Sequence, residues 1–433
     1  MPPSIRHWGV NHIQYASTVM THFQSHPASG NWLSSETHTA WLREQARKLW
    51  TFHRASLLPS GLFATLDTDG TPLPDPVQEL HATTRMIHSF ALGQAGGLTG
   101  CDDVIDAGMT ILWNHHRDTV HGGYLWAVNG NGVVDDRKLA YGHVFVLLAG
   151  ASAASVGHPD AARLIADVSE VLDARFWEPQ NGRFCDEWAR DWTPFSTYRG
   201  MNANMHGTEA LLAAFEATGE QIYLDRASQI LQFFVHQAAP QNGWHIPEHY
   251  TETWEVDRAY AGDPMFRPAG TTPGHSFEWA RLFLQHWELA GRPDDNSPSI
   301  ARSLIMQALA DGWNTEKGGI VYTLDFDARP AIADRYWWPL TEAIGALAVL
   351  IKLSPTEEDE ALYRKLWQFA AAHFIDHTHG GWFHEIDAAG APTATQFHGK
   401  PDIYHALQAA VYPMLPGLSR PFAALKTTRP FAD

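Results

Sequence analysis

The sequence predicts an all-α fold of the (α/α)6-barrel class, in which six helical hairpins form a ring with short β-hairpin loops at one rim. Three features of the chain support this class. A motif of glycine and aromatic residues recurs six times, two kinds of helical pattern alternate between its copies, and polar residues recur where the apolar helices begin. Periods of 20 to 50 residues or slightly more are typical of repeat architectures.

One glycine marks each copy of the repeated motif. The copies are "SGLFATLD" from residue 60, "HGGYLWAV" from 121, "NGRFCDEW" from 181, "QNGWHIPE" from 241, "KGGIVYTLD" from 317 and "HGGWFHEID" from 379. The marker glycines are Gly61, Gly123, Gly182, Gly243, Gly319 and Gly381. Their spacings are 62, 59, 61, 76 and 62 residues, which indicates a period near 60 with one enlarged unit. Glycine supports positive φ at the start of a short alternating run of hairpin type.

Two helical patterns lie between successive markers. The pattern before each marker is amphipathic, with charges on one face, and predicts an outer helix with a solvated side. The pattern after each marker is apolar and rich in small residues nearly all round, and predicts an inner helix packed on every side. Examples are residues 39–56, 160–177 and 358–375 for the outer pattern and residues 144–154, 208–215 and 341–351 for the inner pattern.

Six pairs of outer and inner helices close most economically into one toroid. We therefore expect residues 1–433 to form a single catalytic (α/α)6-barrel domain. An open solenoid of helix pairs is the alternative, but its ends require polar capping repeats, and the sequence contains no segment of that kind.

The composition narrows the class of partner. The chain has 30 Lys and Arg against 48 Asp and Glu, a formal net charge of −18, which disfavours nucleic acid and anionic membranes. A neutral or cationic small molecule fits this charge more easily. The 18 tryptophans and 25 histidines are unusual. Tryptophan-rich concave surfaces suit sugars, because the C–H face of a pyranose packs on an indole while its hydroxyls need polar partners.

The expected compartment is the cytoplasm. The N-terminal stretch "MPPSIRHWGV" lacks the apolar run of a signal peptide, and the chain has no run of about 18 apolar residues that could span a bilayer. Cys101 and Cys185 are too few for a disulfide framework and are expected to be reduced.

Polar residues at the starts of the inner helices predict a shared site. The inner helices of such a ring run parallel, so their N-termini, with free N–H groups and a positive dipole end, gather at one rim. The residues at these six positions are Arg85, His143, His206, His275, Glu342 and His405. Any one of them alone would be interpreted as a cap or a satisfied buried group. Their recurrence at equivalent positions favours a common functional role.

The fourth unit carries an enlarged connection. Its marker glycine lies 32 residues before His275, the polar residue at the start of its inner helix. The corresponding distance is 20 to 24 residues in the other units, and the additional chain is residues 251–270. This segment contains Trp254, Tyr260, Phe266 and Arg267. A long polar and aromatic loop at the rim is typical of a lid or a substrate wall, with a surface excursion of no functional consequence as the alternative.

The residue types at the rim exclude several chemistries. Inverting glycosidases need two carboxylates about 6.5 to 9.5 Å apart, whereas imidazoles dominate here. The stretch "NHHRDTVH" (residues 114–121) lacks HExxH spacing and is interpreted as structural or solvated, so we expect no metal site. The chain also contains neither a GxxxxGK[ST] phosphate loop nor a strand-borne GxGxxG. We expect no organic cofactor.

Paired histidines favour proton transfer next to a carbonyl. A base with a pKa near neutrality can remove the C2 proton of an open-chain aldose while another group protonates or hydrogen-bonds O1. Return of the proton to C1 gives a ketose, and return to the opposite face of C2 gives the epimer. The residues themselves leave both outcomes open.

Four ordered stretches of the chain resemble the N-acylglucosamine 2-epimerase superfamily, and within it the aldose-ketose isomerase branch. They are "RMIHSFALG" (85–93), "YRGMNANMHGTEA" (198–210), "GTTPGHSFEWARL" (270–282) and "GKPDIYHALQA" (399–409). The resemblance extends from about residue 32 to residue 415. It implies an (α/α)6 barrel, in agreement with the repeats.

The resemblance also implies roles for individual residues. His275 and His405 would be the acid/base pair that moves a proton between C2 and C1 through a cis-enediol, and Glu278, one helical turn after His275, would support it. The implied sugar-binding residues are Arg85, Tyr141, Asn202 and His206, to which we add His384 and Trp338.

Two positions narrow the expected substrate. Members that bind a sulfonated sugar carry glutamines where this chain has His384 and Pro401, so we expect a neutral monosaccharide. The implied activity is cofactor-independent interconversion of D-mannose and D-fructose, with D-lyxose and D-xylulose as a second pair. A sugar 2-epimerase or a sulfoquinovose isomerase with the same histidines is the enzymatic alternative, and a sugar-sensing or protein-binding toroid is the non-enzymatic one. The oligomeric state stays open.

Overall fold

Twelve main helices alternate between an outer and an inner ring in the computed structural model, which describes residues 31–260 and 262–432. The outer helices are α1 Glu36–Arg54, α3 Asp102–Ile111, α5 Ala161–Val171, α7 Gln221–Leu231, α9 Ser297–Gly312 and α11 Glu357–His373. The inner helices are α2 Leu80–Ala95, α4 Ala140–Ser155, α6 Met201–Thr218, α8 Pro273–Leu289, α10 Trp337–Leu353 and α12 Tyr404–Val411. A last helix, α13, spans Pro421–Thr428. The predicted (α/α)6 barrel is confirmed.

The two expected helix types have the expected burial. Inner helix α10 is buried from its first residue through Ile351, which fits its apolar sequence. Outer helix α5 buries mainly the stripe of Leu164, Ile165 and Val168 and leaves its other face to solvent. Ser35 precedes outer helix α1 and caps its first turn, because its side chain accepts a hydrogen bond from the backbone N–H of His38.

Three successive outer helices end in a wide turn. The π-helical turns Leu112–His116, Leu172–Phe176 and Gln232–Ala238 follow α3, α5 and α7 respectively. The short helix Ala239–Gln241 follows the third of them, and the 3-10 turn Tyr412–Met414 extends α12. The helical period therefore changes at the same place in three repeats, just before the hairpin that follows.

Short antiparallel strands gather at the rim where the inner helices begin. The strands are β1 Gln78–Glu79, β2 Ala127–Asn129, β3 Gly132–Asp135, β4 Lys138–Leu139, β5 Trp177–Glu178, β6 Arg183–Phe184, β7 Glu187–Trp188, β8 Arg199–Gly200, β9 His249–Tyr250, β10 Thr323–Leu324, β11 Pro330–Ile332, β12 Arg335–Tyr336, β13 Glu385–Ile386 and β14 Pro392–Thr393. β1, β4, β8 and β12 lead directly into α2, α4, α6 and α10. Each of these four pairs with a strand of the next repeat, β2, β7, β9 and β13 respectively.

The marker glycines have the backbone that the motif predicts. All six have positive φ, between 63° and 83°. In three repeats the turn before the marker is built alike, because the N–H groups of Asp118, Asn314 and Asp376 each donate to the carbonyl of the marker glycine five residues later, at 2.9, 2.9 and 3.1 Å.

The ring is closed, so the open solenoid is excluded. The N–H of Lys400, in the last repeat, donates to the carbonyl of Leu66, in the first, at 2.7 Å. Helix α12 packs against both α1 and α2. The expected single domain of residues 1–433 is described from residue 31 onward, and residues 1–30 lie outside the described part.

The core accounts for several of the tryptophans. Trp32, Trp279, Trp367 and Trp382 are almost completely buried among apolar side chains, so they stabilise the ring rather than offer a surface to a sugar. Within residues 31–260 and 262–432, we find no helix with both the length and the apolar character needed to cross a bilayer.

Candidate active site

Most of the predicted site residues lie in the first two turns of the inner helices, beside the rim strands. Tyr141 lies in α4, Asn202 and His206 in α6, His275 and Glu278 in α8, Trp338 and Glu342 in α10, His405 in α12 and Arg85 in α2. Because these helix starts face a common centre, side chains that are distant in sequence meet there. Arg85 and Tyr404 are 319 positions apart, and the guanidinium carbon lies 4.7 Å from the ring centroid.

His275 is paired with a carboxylate that the sequence analysis did not select. Its Nδ1 lies 2.8 Å from Oε1 of Glu248 and donates a hydrogen bond to it. Glu248 is buried just before β9, and its backbone bridges two chain segments, accepting from Met201 N–H at 2.9 Å and donating to Gly270 O at 3.0 Å. The expectation that Glu278 supports His275 is wrong. The hairpin before α8 supplies the supporting carboxylate instead.

His405 has the same arrangement with a different helix. Its Nδ1 donates to Oε1 of Glu342 in α10 at 2.8 Å. The other carboxylate oxygen of Glu342 accepts from the Arg281 guanidinium at 3.2 Å. A carboxylate on Nδ1 selects the tautomer in which Nε2 carries the free lone pair. Each histidine can therefore take up a proton at Nε2 as a base and, once it is an imidazolium stabilised by its carboxylate, return a proton from Nε2 as an acid.

Trp338 connects the two histidines. The centroid of its ring lies 4.9 Å from that of His275 and 5.8 Å from that of His405. The side chains of His275 and His405 keep 12% and 7% of their surface exposed, so neither imidazole is completely enclosed. The two expected acid/base residues thus flank one indole at the inner-helix rim.

Arg85 and its neighbours form the polar side of the site. Its NH2 group donates to the Tyr141 hydroxyl at 3.1 Å, and the guanidinium carbon lies 4.8 Å from the ring centroid of Phe145. The ring of His206 packs edge-on against Tyr141, with 5.3 Å between centroids. Burial lowers the pKa of His206 to about 4, so its imidazole is neutral at physiological pH. The buried Oδ1 of Asn202 has no hydrogen-bond partner within the described part of the chain.

Glu278 lies in a buried acidic cluster instead of beside His275. Its Oε1 is 3.5 Å from His206 Nδ1 and 3.6 Å from Arg281 NH2, and neither of its oxygens has a hydrogen-bond partner among the described residues. Burial, together with the charge of Glu342, raises the pKa of Glu278 well above its usual value. Burial opposes ionisation of Glu342 too, but Arg281 and His405 lower its pKa. Within this pair, Glu342 therefore ionises more readily, and Glu278 keeps its proton more readily.

The same cluster has the ligand types of a metal site. Two overlapping groups of three buried side chains bring their ligand atoms within 4.8 Å of one another. These groups are His206, Glu209 and Glu278, and Glu278, Glu342 and His405. Arg281 already supplies a positive charge to both groups, 3.2 Å from Glu342 and 3.6 Å from Glu278. The expected absence of a metal is therefore a prediction that a chelator can test.

Two predicted polar residues have other partners. His143 lies behind the rim, where its Nδ1 donates to Leu139 O at 2.7 Å and its Nε2 accepts from Tyr124 N–H at 3.0 Å. Both ring nitrogens of His143 therefore form hydrogen bonds with backbone groups, and His143 does not join the polar residues at the other five inner-helix starts. His384 precedes β13 and is also buried, and its Nε2 accepts from the Asp402 N–H at 3.2 Å. Its expected contact with the sugar stays a prediction.

The enlarged connection is fastened to the rim of the neighbouring repeats. Arg267 NH2 lies 2.7 Å from Glu187 Oε2, and Trp254 Nε1 donates to Glu178 at 2.8 Å. The Tyr322 hydroxyl donates to the Met265 carbonyl, and the Tyr322 ring lies 6.1 Å from Trp338. Phe266 is 77% exposed. This arrangement supports a wall beside the site, and closure as a lid stays a prediction.

Sequence reasoning missed three carboxylates of the site. Glu248 ends the quoted motif "QNGWHIPE", and Asp402 lies in the quoted stretch "GKPDIYHALQA", so both were within the selected segments. Glu209 accepts hydrogen bonds from the Tyr404 hydroxyl and from Gln408 Nε2, the latter at 3.0 Å. The only signal in the sequence was a polar residue within an otherwise apolar helix or next to a rim strand.

Comparisons with known proteins identify related sequences over most of the chain. The family model of N-acylglucosamine 2-epimerase (GlcNAc 2-epimerase) matches residues 61–409. The chain is 42% identical over 393 residues to a D-mannose isomerase of Thermobifida fusca, covering 89% of this chain and 96% of that protein. It is 39% identical over 397 residues to a D-mannose isomerase of Pseudomonas cannabina pv. alisalensis, covering 89% and 95%.

A solved structure extends the agreement to three dimensions. A crystal structure of D-mannose isomerase superposes with a TM-score of 0.82 at 32% sequence identity, covering 87% of this chain and 97% of that one. The expectations of a helical barrel and of a sugar isomerase or epimerase are confirmed. By the extent of the family match and by these identities, the chain belongs to the N-acylglucosamine 2-epimerase family.

Proposed function

We propose that this protein is a cofactor-independent aldose-ketose isomerase that interconverts D-mannose and D-fructose, and also D-lyxose and D-xylulose. The observation that carries the proposal is the pair of histidines, His275 and His405, each with its Nδ1 on its own carboxylate and both beside Trp338. The names of the relatives support D-mannose as the aldose.

The first step is removal of the C2 proton from the open-chain aldose. Nε2 of one histidine takes this proton, and the electrons of the C2–H bond form a C1–C2 double bond while the carbonyl oxygen O1 gains a proton from the other histidine. The carboxylates Glu248 and Glu342 stabilise the imidazolium that forms. We assign this shuttle to His275 and His405 jointly, and the same pair can assist ring opening.

The second step returns a proton to C1. The histidine that protonated O1 takes the O2 proton as the C2 carbonyl forms. The other histidine, whose N–H exchanges with solvent, delivers a proton to C1 on the face of the cis-enediol from which C2 was deprotonated. Arg85, Tyr141, Asn202 and His206 offer donors and acceptors to the sugar oxygens, as the enediol requires. The raised pKa of Glu278 favours its protonated form, which can donate a hydrogen bond to an oxygen of the substrate.

Isotope exchange tests the outcome. D-Mannose is incubated with the enzyme in D2O, and the products are followed by NMR from the first turnovers. We expect D-fructose carrying deuterium at C1. D-Glucose as the first product would contradict the proposal and indicate 2-epimerisation, the second function that the same histidines allow.

Chelation tests the metal-free mechanism. We expect turnover of D-mannose to be unchanged after dialysis against EDTA, because two imidazoles and their carboxylates supply the acid, the base and the charge. Activity that is lost on chelation and restored by a divalent ion would show that the acidic cluster around Glu278 binds a catalytic cation.

A further inference from the structure

Asp402 is a buried acid at the edge of the candidate active site that the mechanism above does not use. It follows the bridge at Lys400 and precedes α12, and its side chain is only 10% exposed. Its Oδ1 accepts from the Tyr404 N–H at 3.1 Å, and its own N–H donates to His384 at 3.2 Å. These bonds fix the carboxylate at the start of the helix that carries His405.

The carboxylate faces Arg85, the main cation on the polar side of the site. Arg85 NH1 lies 3.7 Å from Asp402 Oδ1, and the Arg85 side chain is also 10% exposed. The guanidinium is otherwise surrounded by the rings of Tyr141, Phe145 and Tyr404. An arginine in such an aromatic setting is normally a strong receptor for phosphate, sulfonate or carboxylate groups. Here its charge is already balanced.

One oxygen of the pair lacks a partner. Asp402 Oδ2 is buried and accepts no hydrogen bond from any residue that the structure describes, and Arg85 Nε is likewise unpaired there. Burial alone would raise the pKa of Asp402, but Arg85, His405 and His384 lower it to about 2, so the carboxylate is ionised. An ionised oxygen that is buried without a donor is costly, and a ligand hydroxyl would satisfy it.

We propose that Asp402 determines specificity: its Oδ2 accepts a hydrogen bond from a hydroxyl of the sugar, and its charge, by neutralising Arg85, restricts the site to uncharged sugars. The proposal rests on the proposed function and names its substrate class as free, unphosphorylated aldoses and ketoses. A phosphate or carboxylate that approached Arg85 would also approach Asp402, and the repulsion would cancel the attraction.

A further carboxylate near Arg85 acts in the same direction. Glu79, which precedes α2, lies close enough to interact with the guanidinium. Asp402 is the carboxylate for which a direct ion pair with Arg85 is observed, at 3.7 Å. Its removal should therefore change the charge seen by a ligand more than any change on the exposed rim.

The experiment compares anion and sugar binding in three proteins: wild type, Asp402→Asn and Asp136→Asn. Asp136 is exposed on the hairpin before α4, so Asp136→Asn makes the same chemical change at the same rim without contacting Arg85. The probes are D-mannose, inorganic phosphate and D-mannose 6-phosphate. Inhibition constants come from turnover of D-mannose, and dissociation constants come from calorimetry.

For Asp402→Asn we expect at least about tenfold tighter binding of both anions and a fall of about tenfold to a hundredfold in kcat/KM for D-mannose, mainly through KM. Asp136→Asn should match the wild type on every probe. Unchanged anion binding in Asp402→Asn relative to Asp136→Asn would overturn the proposal. Absence of D-mannose turnover in the wild type would refute the proposed function, while calorimetry would still report on Asp402.

A structure of the wild-type protein with D-fructose provides a second test that does not depend on a folded variant. We expect a sugar hydroxyl about 2.7 Å from Asp402 Oδ2. A bound sugar with every atom more than about 4 Å from that oxygen would contradict the proposed hydrogen bond.

Discussion

Each of the two histidines assigned to proton transfer depends on a carboxylate from another part of the ring. Glu342 reaches His405 from a neighbouring inner helix, and Glu248 reaches His275 from the position just before rim strand β9. Such a carboxylate sets which ring nitrogen carries the proton and stabilises the charged imidazole. Replacement of either carboxylate should therefore affect the chemistry more than the binding of the sugar.

We expect Glu342→Gln to lower kcat for D-mannose by roughly a hundredfold with a smaller change in KM, because a neutral amide cannot stabilise the imidazolium of His405. Glu278→Gln is the matched comparison, since the raised pKa of Glu278 favours its neutral form, and we expect a smaller loss. Steady-state kinetics across the pH range would measure both. Equal losses in the two variants would contradict the assignment of charge in the pair.

In three repeats, a buried cation contacts the turn at the marker glycine and stabilises it. Lys138 Nζ lies 3.0 Å from Asp118, and Lys400 Nζ lies 2.6 Å from Asp376. In the fifth repeat the cation is Arg335, whose NH1 group donates a hydrogen bond to the Gly318 carbonyl at 3.0 Å. Each cation precedes an inner helix, so it couples the rim hairpin to the helix start that carries site residues.

Lys400 also contributes to ring closure, because its ammonium donates to the Thr68 carbonyl at 2.8 Å. We expect Lys400→Met to lower the free energy of unfolding by about 3–5 kcal/mol, since it leaves Asp376 buried without its counter-ion. Lys48→Met removes an exposed lysine paired with Glu44 and should cost less than about 1 kcal/mol. Urea denaturation of both variants gives the comparison, and similar midpoints would show that the buried pair does not stabilise the closure.

The closed ring buries many histidines, and burial favours their neutral form. Burial lowers the pKa of six almost fully buried histidines from 6.5 to between about 3 and about 4. They are His53, His88, His116, His143, His206 and His384. A histidine that is neutral in the folded state and protonated in the unfolded state favours unfolding as the pH falls.

The sign of this linkage predicts acid sensitivity. The contribution of these neutral histidines to the free energy of unfolding is fully present above pH 6.5. It is lost as the pH falls from 6.5 towards 4, by up to about 1.4 kcal/mol per histidine and pH unit. We expect the melting temperature to fall steadily between pH 7 and pH 5. His116→Asn, which keeps a donor for the Leu125 carbonyl, should have a shallower dependence. A melting temperature that is constant over this range would contradict the prediction.

The fold was predictable from the sequence because its signals are local and repeated. Positive φ at the marker glycines, the amphipathic outer helices and the apolar inner helices each depend on a few neighbouring residues. Six copies of such signals leave few ways to close the chain. The same counting located His275 and His405 at the rim, and it erred at His143, whose ring faces the backbone of Tyr124. Position along a helix does not determine on which side of the rim a side chain lies.

The ring, its rim and the histidines at the helix starts could therefore be predicted from the sequence alone. The tertiary structure was needed to show which carboxylate forms a hydrogen bond with which histidine, because these pairs join residues from different repeats. Glu278 is one turn from His275 but lies beside His206, while Glu248, 27 residues earlier, makes the hydrogen bond to His275. The pairing of Arg85 with Asp402 joins two residues that are 317 positions apart in the sequence. Such contacts depend on how the closed ring brings distant helices together, and spacing along the chain carries no information about that geometry.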